Sequence, residues 1–373
     1  MFAQIHTHIR RTGWILLGAG LIVLCLLAQQ APAHAQDDSP TTSSGLDNYL
    51  PLVRAGAGCG ASTPMRSPTV FGVQMYVETD RESPYFDFMV ESGASWVRAE
   101  IYWANIEPSN TTPDNFRWDQ ADEILAAAGQ AGINMNATVI FNPGWASPHR
   151  EGPINPENLG DYSEFLGAVV ERYDGDGVDD NPCGIVVKRW ELYNEPDGES
   201  KPGDVRWGEF GAEYAAMLAA AYPAVKAADP DAQLVFGGIA YDWFTDQTPA
   251  GPFVRSFLTD VLDAGGGAHF DVMNFHVYPA FAPNWTTKGP GLYEKTQVVR
   301  QVLRDYNLQK PIVITEAGNH SNADGTSPSS PAQQAGYVVK LFTQALAADV
   351  DMLTWFMLYD CLLYTSDAAD ECC

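Results

Sequence analysis

Two glutamates, each at the C-terminal end of an apolar, strand-like run, are the residues of this sequence best suited to chemistry. Glu195 lies in the run Trp190–Pro196, and Glu316 lies in the run Ile312–Gly318. Cleavage of a glycosidic bond needs two carboxyl groups. One protonates the departing oxygen, and the other attacks the anomeric carbon or activates water. The sequence therefore predicts glycosidic cleavage, provided that the fold brings the two strand ends together.

The elements that must position these glutamates alternate along the chain. Eight apolar, β-branched runs are separated by seven helical patterns, which predicts a parallel sheet and favours a closed (β/α)8 TIM barrel. The alternative, an open doubly wound sheet, usually carries a glycine-rich nucleotide loop after its first strand, and residues 72–76 do not form one. The predicted strands are 70–76, 95–101, 134–141, 185–193, 233–238, 270–278, 311–316 and 352–358, and the predicted helices are 84–92, 119–131, 158–173, 207–228, 252–263, 293–306 and 332–348.

A barrel of this kind would bring the two glutamates together at its mouth. Functional groups lie at the C-terminal ends of barrel strands, and Glu195 ends the fourth strand while Glu316 ends the seventh. Their carboxyl groups can then approach the separation of about 5–5.5 Å that a retaining glycosidase uses. An ionised Glu316 would raise the pKa of Glu195, so that Glu195 holds a proton near neutral pH. The alternative is that both glutamates are structural ion-pair partners.

The same residues resemble a known family. Asn194-Glu195-Pro196 and Ile314–Gly318 are similar to the two signatures of the large clan of retaining glycoside hydrolases with (β/α)8 barrels (clan GH-A, the 4/7 superfamily), over about residues 68–360. The resemblance implies a retaining O-glycosyl hydrolase with Glu195 as acid/base and Glu316 as nucleophile. The run Trp190–Pro196 looks closest to the β-xylosidase-like branch, although the cellulase-, xylanase- and mannanase-like branches share these motifs.

The resemblance also implies roles for two polar residues beside the glutamates. Asn194 would bind the sugar 2-OH, and Arg98, at the end of the second strand, would orient the nucleophile. Regular alternation would turn Asn194 away from Glu195, so the strand end must be irregular or Asn194 must reach in from the side. The alternative for Arg98 is a pair inside the barrel with Glu191, which shares the parity of Glu195 and is expected to be structural.

Four further residues are candidates for substrate binding. His276 and Tyr278 end the sixth strand with the same parity, so both can face the site, and Tyr278 would hold Glu316 by its hydroxyl. The alternative for His276 is a core histidine with satisfied hydrogen bonds. Trp145, after the third strand, and Trp355, on the eighth, are candidate sugar platforms, with simple packing as their alternative.

Composition limits the class of partner. The net charge of −26 and the pI of about 4.4 argue against binding to nucleic acid or anionic membranes and fit a neutral carbohydrate substrate. An acyl-transfer hydrolase is disfavoured because the chain contains no Gly-x-Ser-x-Gly elbow. The rival from another class is a non-catalytic carbohydrate-binding protein on a decayed barrel, and the intact Glu195 and Glu316 argue against it. We expect a monomer that acts on oligo- or polysaccharides of plant or microbial origin.

The ends of the chain predict a secreted protein. A basic pair, an apolar stretch at 14–27 and Ala33-His34-Ala35 are typical of a signal peptide over residues 1–35, with an uncleaved anchor as the alternative. Residues 36–67 have the composition of a disordered Ser/Thr/Pro/Gly-rich linker, and 68–360 would form the barrel. We interpret 361–373 as a non-native tail, so that the barrel is truncated after its eighth strand.

Two further features concern cross-links and metals. Secretion permits a disulfide bond between Cys59 and Cys183, and neither spacing resembles a metal site. The loop 174–180 resembles a calcium loop, but Val178 at its fifth position breaks the EF-hand pattern. A calcium ion there would be structural, and the alternative is a solvated acidic loop; no other cofactor is expected. The candidate ligands are Asp174, Asp176, Asp179 and Asp180.

Overall fold

The computed structural model describes residues 63–74, 84–241, 252–278, 291–321 and 329–358, and these form a nearly closed (β/α)8 barrel, as the alternation predicted. Seven neighbouring pairs of strands are parallel, in the order β5-β4-β3-β2-β1-β8-β7-β6. Isolated parallel bridges, Val235 with Val272 and Ile239 with Phe275, join the β5 and β6 sides of the ring. The strands are β1 Phe71–Gln74, β2 Trp96–Tyr102, β3 Asn134–Ile140, β4 Arg189–Leu192, β5 Gln233–Val235, β6 Met273–Val277, β7 Ile312–Ala317 and β8 Met352–Trp355.

The helices cover the outer faces of these strands. All seven predicted helices are present, and the short helix α2 is additional. The last helix illustrates why these segments are helical: Ser330 caps it by accepting a hydrogen bond from the backbone N–H of Gln333, and Pro331 occupies its first turn. The described helices are α1 Pro84–Glu91, α2 Trp103–Ile106, α3 Asp119–Gln130, α4 Leu159–Arg172, α5 Gly211–Ala228, α6 Phe257–Asp263, α7 Leu292–Asp305 and α8 Pro331–Ala347. None of them is long and apolar enough to span a bilayer.

The barrel interior has an apolar floor beneath a polar layer. The apolar core between strands and helices is continuous, whereas a second, smaller cluster is separate from it and comes from inward-facing strand residues. This cluster consists of Trp96, Val235, Val272, Val313 and Met352. The polar side chains described below come from residues further along the same strands, so they lie above this floor, towards the mouth.

Strand β7 contains a bulge that matters for the site. Its pairing with β6 passes from Asn274↔Val313 to His276↔Glu316, so β7 has one residue more than its neighbour, and its pairing with β8 shifts at the same place. A bulge redirects the side chains around it. Both Thr315 and Glu316 consequently make contacts inside the barrel.

The barrel-bound part of the chain starts earlier than residue 68. The backbone N–H of Thr63 donates to Gln130, and Arg66 donates to the carbonyl oxygens of Gly132 and Val90. The linker over residues 36–67 stays a prediction. Cys183 is disulfide-bonded, but Cys59 lies outside the described residues, so their pairing stays a prediction.

Candidate active site

Glu195 and Asn194 are presented by an irregular chain segment after β4. Tyr193 and Glu195 have φ angles of 64° and 43°, in the left-handed region that residues with side chains rarely adopt. These angles break the alternation of the strand, as the sequence required if Asn194 is to serve the same site. Asn194 Oδ1 accepts a hydrogen bond of 2.7 Å from Arg98 Nη2. Backbone strain of this kind is typical of functional sites.

Glu316 is held by donors from two other strands. Its Oε1 accepts from Arg98 Nη1 at 2.5 Å, and its Oε2 accepts from the hydroxyl of Tyr278 at 2.8 Å. The side chain of Glu316 is only 11 % exposed. Two donors from separate strands thus fix the orientation of this carboxylate, which suits a group that must attack one atom.

Arg98 contacts both Glu316 and Glu191, the two partners that the sequence left open as alternatives. The side chain is fully buried, and it donates to Glu191 through Nε at 3.0 Å and through Nη2 at 2.9 Å, as well as to Glu316. Burial alone would lower the pKa of Arg98, but the carboxylates of Glu191, Glu316 and Glu100 outweigh it and raise this pKa above its usual range. Arg98 is therefore a permanent positive charge below the mouth.

Glu191 lies in the polar layer beneath the site. It is fully buried, and besides Arg98 its carboxylate accepts hydrogen bonds from Asn136 Nδ2 at 2.8 Å, Thr138 Oγ1 at 2.9 Å and Asn274 Nδ2 at 3.0 Å. A buried carboxylate is stable only when it is paired and hydrogen-bonded in this way. Glu191 therefore has the structural setting that its parity suggested.

His276 connects to the other catalytic candidate. The ring is fully buried, its Nδ1 lies 2.9 Å from Glu195 Oε1, and its Nε2 lies 3.0 Å from Thr315 Oγ1. Burial lowers the pKa of His276 to about 4, and the positive charges of Arg98 and Lys295 act in the same direction. The imidazole is consequently neutral at neutral pH.

The two glutamates lie close together. One carboxylate oxygen of Glu195, one of Glu316 and one ring nitrogen of His276 all lie within 4.8 Å of one another. Three such groups are also close enough to ligate a cation. However, both oxygens of Glu316 already have donors, and the Arg98 guanidinium supplies the positive charge that a metal would bring. The arrangement instead suits two carboxyl groups acting on one bond.

The two predicted sugar platforms pack against residues outside this group. Trp145 is half-buried, donates through Nε1 to the carbonyl oxygen of Glu107 at 3.0 Å, and packs edge-on against Trp103. Trp355 pairs with Val73 on the outer side of the barrel and packs against Tyr337 of α8. A platform role does not fit Trp355 in this position.

Phe356, directly after β8, is the aromatic residue that lies beside the site. Its ring is at 6.3 Å from that of Tyr278 and almost perpendicular to it, and Tyr278 in turn donates to Glu316. Alternation explains the difference: Met352 belongs to the apolar floor, so Thr354 and Phe356 follow it inward and Trp355 faces outward.

Sequence reasoning also missed a third carboxyl group at the mouth. Glu100 lies two residues after Arg98 on β2, so it is on the same side of the strand, and most of it is buried. It accepts a hydrogen bond of 3.0 Å from the Tyr102 hydroxyl. Burial raises the pKa of Glu100 to about 7, and the charge of Glu316 contributes. Parity with Arg98 was the signal that could have identified it.

The acidic loop lies elsewhere, before β4. The carboxylate of Asp174 accepts from the backbone N–H of Asp176 at 2.9 Å, and Asp180 accepts from Gly175 and Gly177 at 3.1 and 2.8 Å. These carboxylates thus stabilise the turns of the loop itself. Carboxylate oxygens of Glu171, Asp174 and Asp176 also lie within 4.8 Å of one another. Calcium binding by Asp174, Asp176, Asp179 and Asp180 stays a prediction.

Comparison with known proteins agrees with this geometry. The family model Cellulase (glycosyl hydrolase family 5) matches residues 60–358. The chain belongs to this family. The predicted clan is confirmed, although the sequence resembled its β-xylosidase-like branch most. Comparison with curated proteins gives no match.

Solved structures of glycoside hydrolases share the fold of this family 5 chain. A family 39 glycoside hydrolase from Bacteroides cellulosilyticus WH2 has 20 % identity and a TM-score of 0.56, over 80 % of this chain and 58 % of that one. A GH39 β-xylosidase from Caulobacter crescentus has 17 % identity and a TM-score of 0.56, over 79 % of this chain and 65 % of that one. Endoglucanase Cel5A from Thermotoga maritima has 14 % identity and a TM-score of 0.51, over 78 % of this chain and 89 % of that one. The chain spans less than two thirds of the length of the first two.

Proposed function

We propose that this family 5 protein is a retaining glycosidase that cleaves O-glycosidic bonds by double displacement. The observation that carries the proposal is the proximity of Glu195 and Glu316, whose carboxylate oxygens approach within 4.8 Å. Retaining enzymes place their two carboxyl groups about 5–5.5 Å apart, whereas inverting enzymes need about 6.5–9.5 Å to admit a water molecule between them and the sugar.

The two steps assign distinct roles to the two glutamates. In the first, Glu316 attacks the anomeric carbon, the bond to the leaving oxygen breaks, and Glu195 gives its proton to that oxygen. In the second, Glu195 takes a proton from water, the water oxygen attacks the anomeric carbon, and Glu316 leaves. Glu316 suits the first role because it has two donors and little contact with solvent.

The surrounding residues support this assignment. Arg98 and Tyr278 each donate to the attacking carboxylate and hold it in one orientation. Asn194, fixed by Arg98 at the irregular end of β4, is placed to bind the hydroxyl group next to the anomeric carbon. Such a contact would stabilise the transition state by several kcal/mol at most.

The substrate class is the part of the proposal that rests most on resemblance. We infer an oligo- or polysaccharide of plant or microbial origin, since the structures that share the fold include a β-xylosidase and an endoglucanase. A screen of aryl glycosides and polysaccharides identifies the sugar. With a substrate in hand, NMR of the first-formed sugar tests the mechanism: retention of anomeric configuration supports it, and inversion contradicts it. Binding without turnover would instead favour the non-catalytic carbohydrate-binding alternative.

We also infer secretion and action as a monomer, because residues 1–35 have the layout of a signal peptide and the chain is strongly acidic. N-terminal sequencing of the exported protein checks the first point, with a mature chain expected to begin near Gln36. Membrane-bound protein that retains Met1 would favour an anchor.

A further inference from the structure

Thr315 is a buried hydroxyl residue that the proposed chemistry does not use. It follows Val313 inward by regular alternation, the bulge in β7 brings Glu316 inward next to it, and it is fully buried. Its Oγ1 lies 2.8 Å from Asn274 Nδ2, 3.1 Å from Glu191 Oε1 and 3.0 Å from His276 Nε2. The hydroxyl therefore connects Glu191, in the polar layer beneath the site, to the imidazole that contacts Glu195.

The hydrogen-bonding groups around Thr315 determine which way its proton points. A hydroxyl has one hydrogen to donate and two lone pairs to accept with. The carboxylate of Glu191, ionised beside Arg98, can only accept, while the Asn274 amide nitrogen can only donate, since Asn274 Oδ1 accepts from the backbone N–H of Thr315 at 3.1 Å.

The acceptors within reach of the hydroxyl hydrogen are Glu191, Asn274 Oδ1 and a bare Nε2 of His276, and the anionic carboxylate of Glu191 is the strongest of them. With that hydrogen on Glu191 and Asn274 Nδ2 donating to one lone pair, the lone pair that remains faces Nε2 of His276. The hydrogen positions follow here from the network of partners.

This network places the single proton of the neutral His276 ring. With Thr315 accepting, Nε2 carries the hydrogen, so Nδ1 presents a lone pair to Glu195 Oε1 at 2.9 Å. Two acceptors at that distance repel each other unless the carboxyl group carries a proton. We propose that Thr315 is a positioning residue that fixes His276 as the Nε2–H tautomer and thereby keeps Glu195 protonated before each turnover.

The proposal rests on the proposed function and gives both catalytic steps a physical basis. Before the first step, the protonated Glu195 donates a hydrogen bond to Nδ1 and keeps the proton that it will transfer to the leaving oxygen. After that transfer, the ionised Glu195 faces a lone pair, which favours its taking a proton from water in the second step. His276 and Thr315 exchange no proton in either step.

Charged and titratable groups from several elements also face this pair, and they are common to every variant compared below. Arg98 on β2 and Lys295 on α7 oppose protonation of His276, whereas the carboxylates of Glu316 and Glu191 favour it. Asp197 follows Glu195 and is coupled to it by charge. Because these groups do not change, a difference between the variants reports on the hydroxyl alone.

The first test is the tautomer itself, measured by long-range nitrogen–proton NMR on the full chain labelled with 15N-histidine, without substrate. We expect wild type to show Nε2–H for His276 at pH 7. Thr315→Val removes the acceptor of that hydrogen, so the ring should shift to Nδ1–H, which donates to an ionised Glu195. Thr315→Ser keeps the hydroxyl and should retain Nε2–H. A wild-type ring carrying its hydrogen on Nδ1 overturns the proposal, whatever the enzyme cleaves.

The second test is the pH dependence of kcat/KM. In Thr315→Val the alkaline limb, where Glu195 loses its proton, should move to lower pH by about one pH unit or more. Glycosides with poor leaving groups, which need acid assistance, should lose about tenfold or more in rate, and those with good leaving groups should change little. Thr315→Ser should behave like wild type.

Thr354→Val is the matched control. Thr354 is also fully buried, and its hydroxyl has no hydrogen-bond partner within the described residues. This variant should keep the wild-type tautomer and pH profile. If Thr315→Val, shown to be folded by its NMR spectrum, keeps both of them as well, the proposal is wrong. It is equally wrong if the two valine variants change them alike.

Discussion

The guanidinium of Arg98 on β2 reaches the carboxylate of Glu316 on β7, with Nη1 2.5 Å from Oε1. The same guanidinium is paired with Glu191, which sits among amide and hydroxyl donors deeper in the barrel. The position of the proposed nucleophile is therefore fixed by the buried polar layer beneath it. Stability and activity should be coupled at this layer, and the first prediction tests that.

Arg98→Lys should lower both stability and turnover. Lysine keeps the charge but cannot reach Glu191, Glu316 and Asn194 together, because it lacks the planar fork of donors. Breaking a buried ion pair costs about 3–5 kcal/mol, and the retained charge should reduce that loss to about 2–4 kcal/mol. Thermal unfolding and kcat measure the two effects, and kcat should fall at least about a hundredfold.

Arg172→Lys is the control for this substitution. Arg172 pairs with Asp122 on the outer helices. The variant should lose about 1 kcal/mol or less of its free energy of unfolding, with unchanged kcat. Equal effects of the two substitutions would show that Arg98 has no special connection to Glu316.

Tyr278→Phe should weaken the proposed nucleophile without unfolding the protein. The hydroxyl donates to Glu316 Oε2, and a hydrogen bond to a charged group is worth about 1.5–3 kcal/mol. We expect kcat to fall about 10- to 100-fold, because the attacking carboxylate loses one of the two donors that hold it. Tyr222→Phe removes a similar bond to Asp271 on the outer face and should leave kcat unchanged. A wild-type kcat in Tyr278→Phe would contradict this role.

Asp197 should make stability depend on pH. Burial raises its pKa from 3.8 to about 7, although its carboxylate accepts the backbone N–H groups of Ala240 and Tyr241. A carboxyl group with a raised pKa stabilises the fold fully below its ordinary pKa, and this contribution, on the order of a few kcal/mol, is lost as pH rises through about 7. The melting temperature should therefore fall as pH increases from 4 to 8.

Asp197→Asn should make that decrease smaller, though not abolish it, because burial also raises the pKa of Glu100 and of Glu107 to about 7. Asp231→Asn, at an exposed position in the loop before β5, should follow wild type. A melting temperature that rises between pH 5 and 7, or identical curves for wild type and Asp197→Asn, would show that Asp197 is ionised at low cost.

The sequence was sufficient for the barrel, which depends on the alternation of strands and helices, and for the choice of Glu195 and Glu316, which depends on motifs at strand ends. It was not sufficient for the contacts of Thr315 beside an inward-facing Glu316, since the bulge in β7 that turns Glu316 inward depends on pairing with two neighbouring strands. Trp355 was predicted to lie in the site because the sequence alone does not show which residues of β8 face inward. Met352 lies in the apolar floor, so alternation turns Trp355 outward. Glu100 could have been identified only from the parity that it shares with Arg98, because no motif surrounds it.

The most direct test of the account is chemical rescue of Glu316→Ala by azide. The variant should fold and lose turnover, with Glu213→Ala on the exposed face of α5 as the active control. Azide should then occupy the space of the missing carboxylate and attack the anomeric carbon, giving a glycosyl azide of inverted configuration. For Glu195→Ala, azide should instead give a product of retained configuration, since Glu316 still forms the covalent intermediate. If Glu316→Ala yields an azide of retained configuration, or keeps near-wild-type turnover, Glu316 is not the nucleophile and the account is wrong.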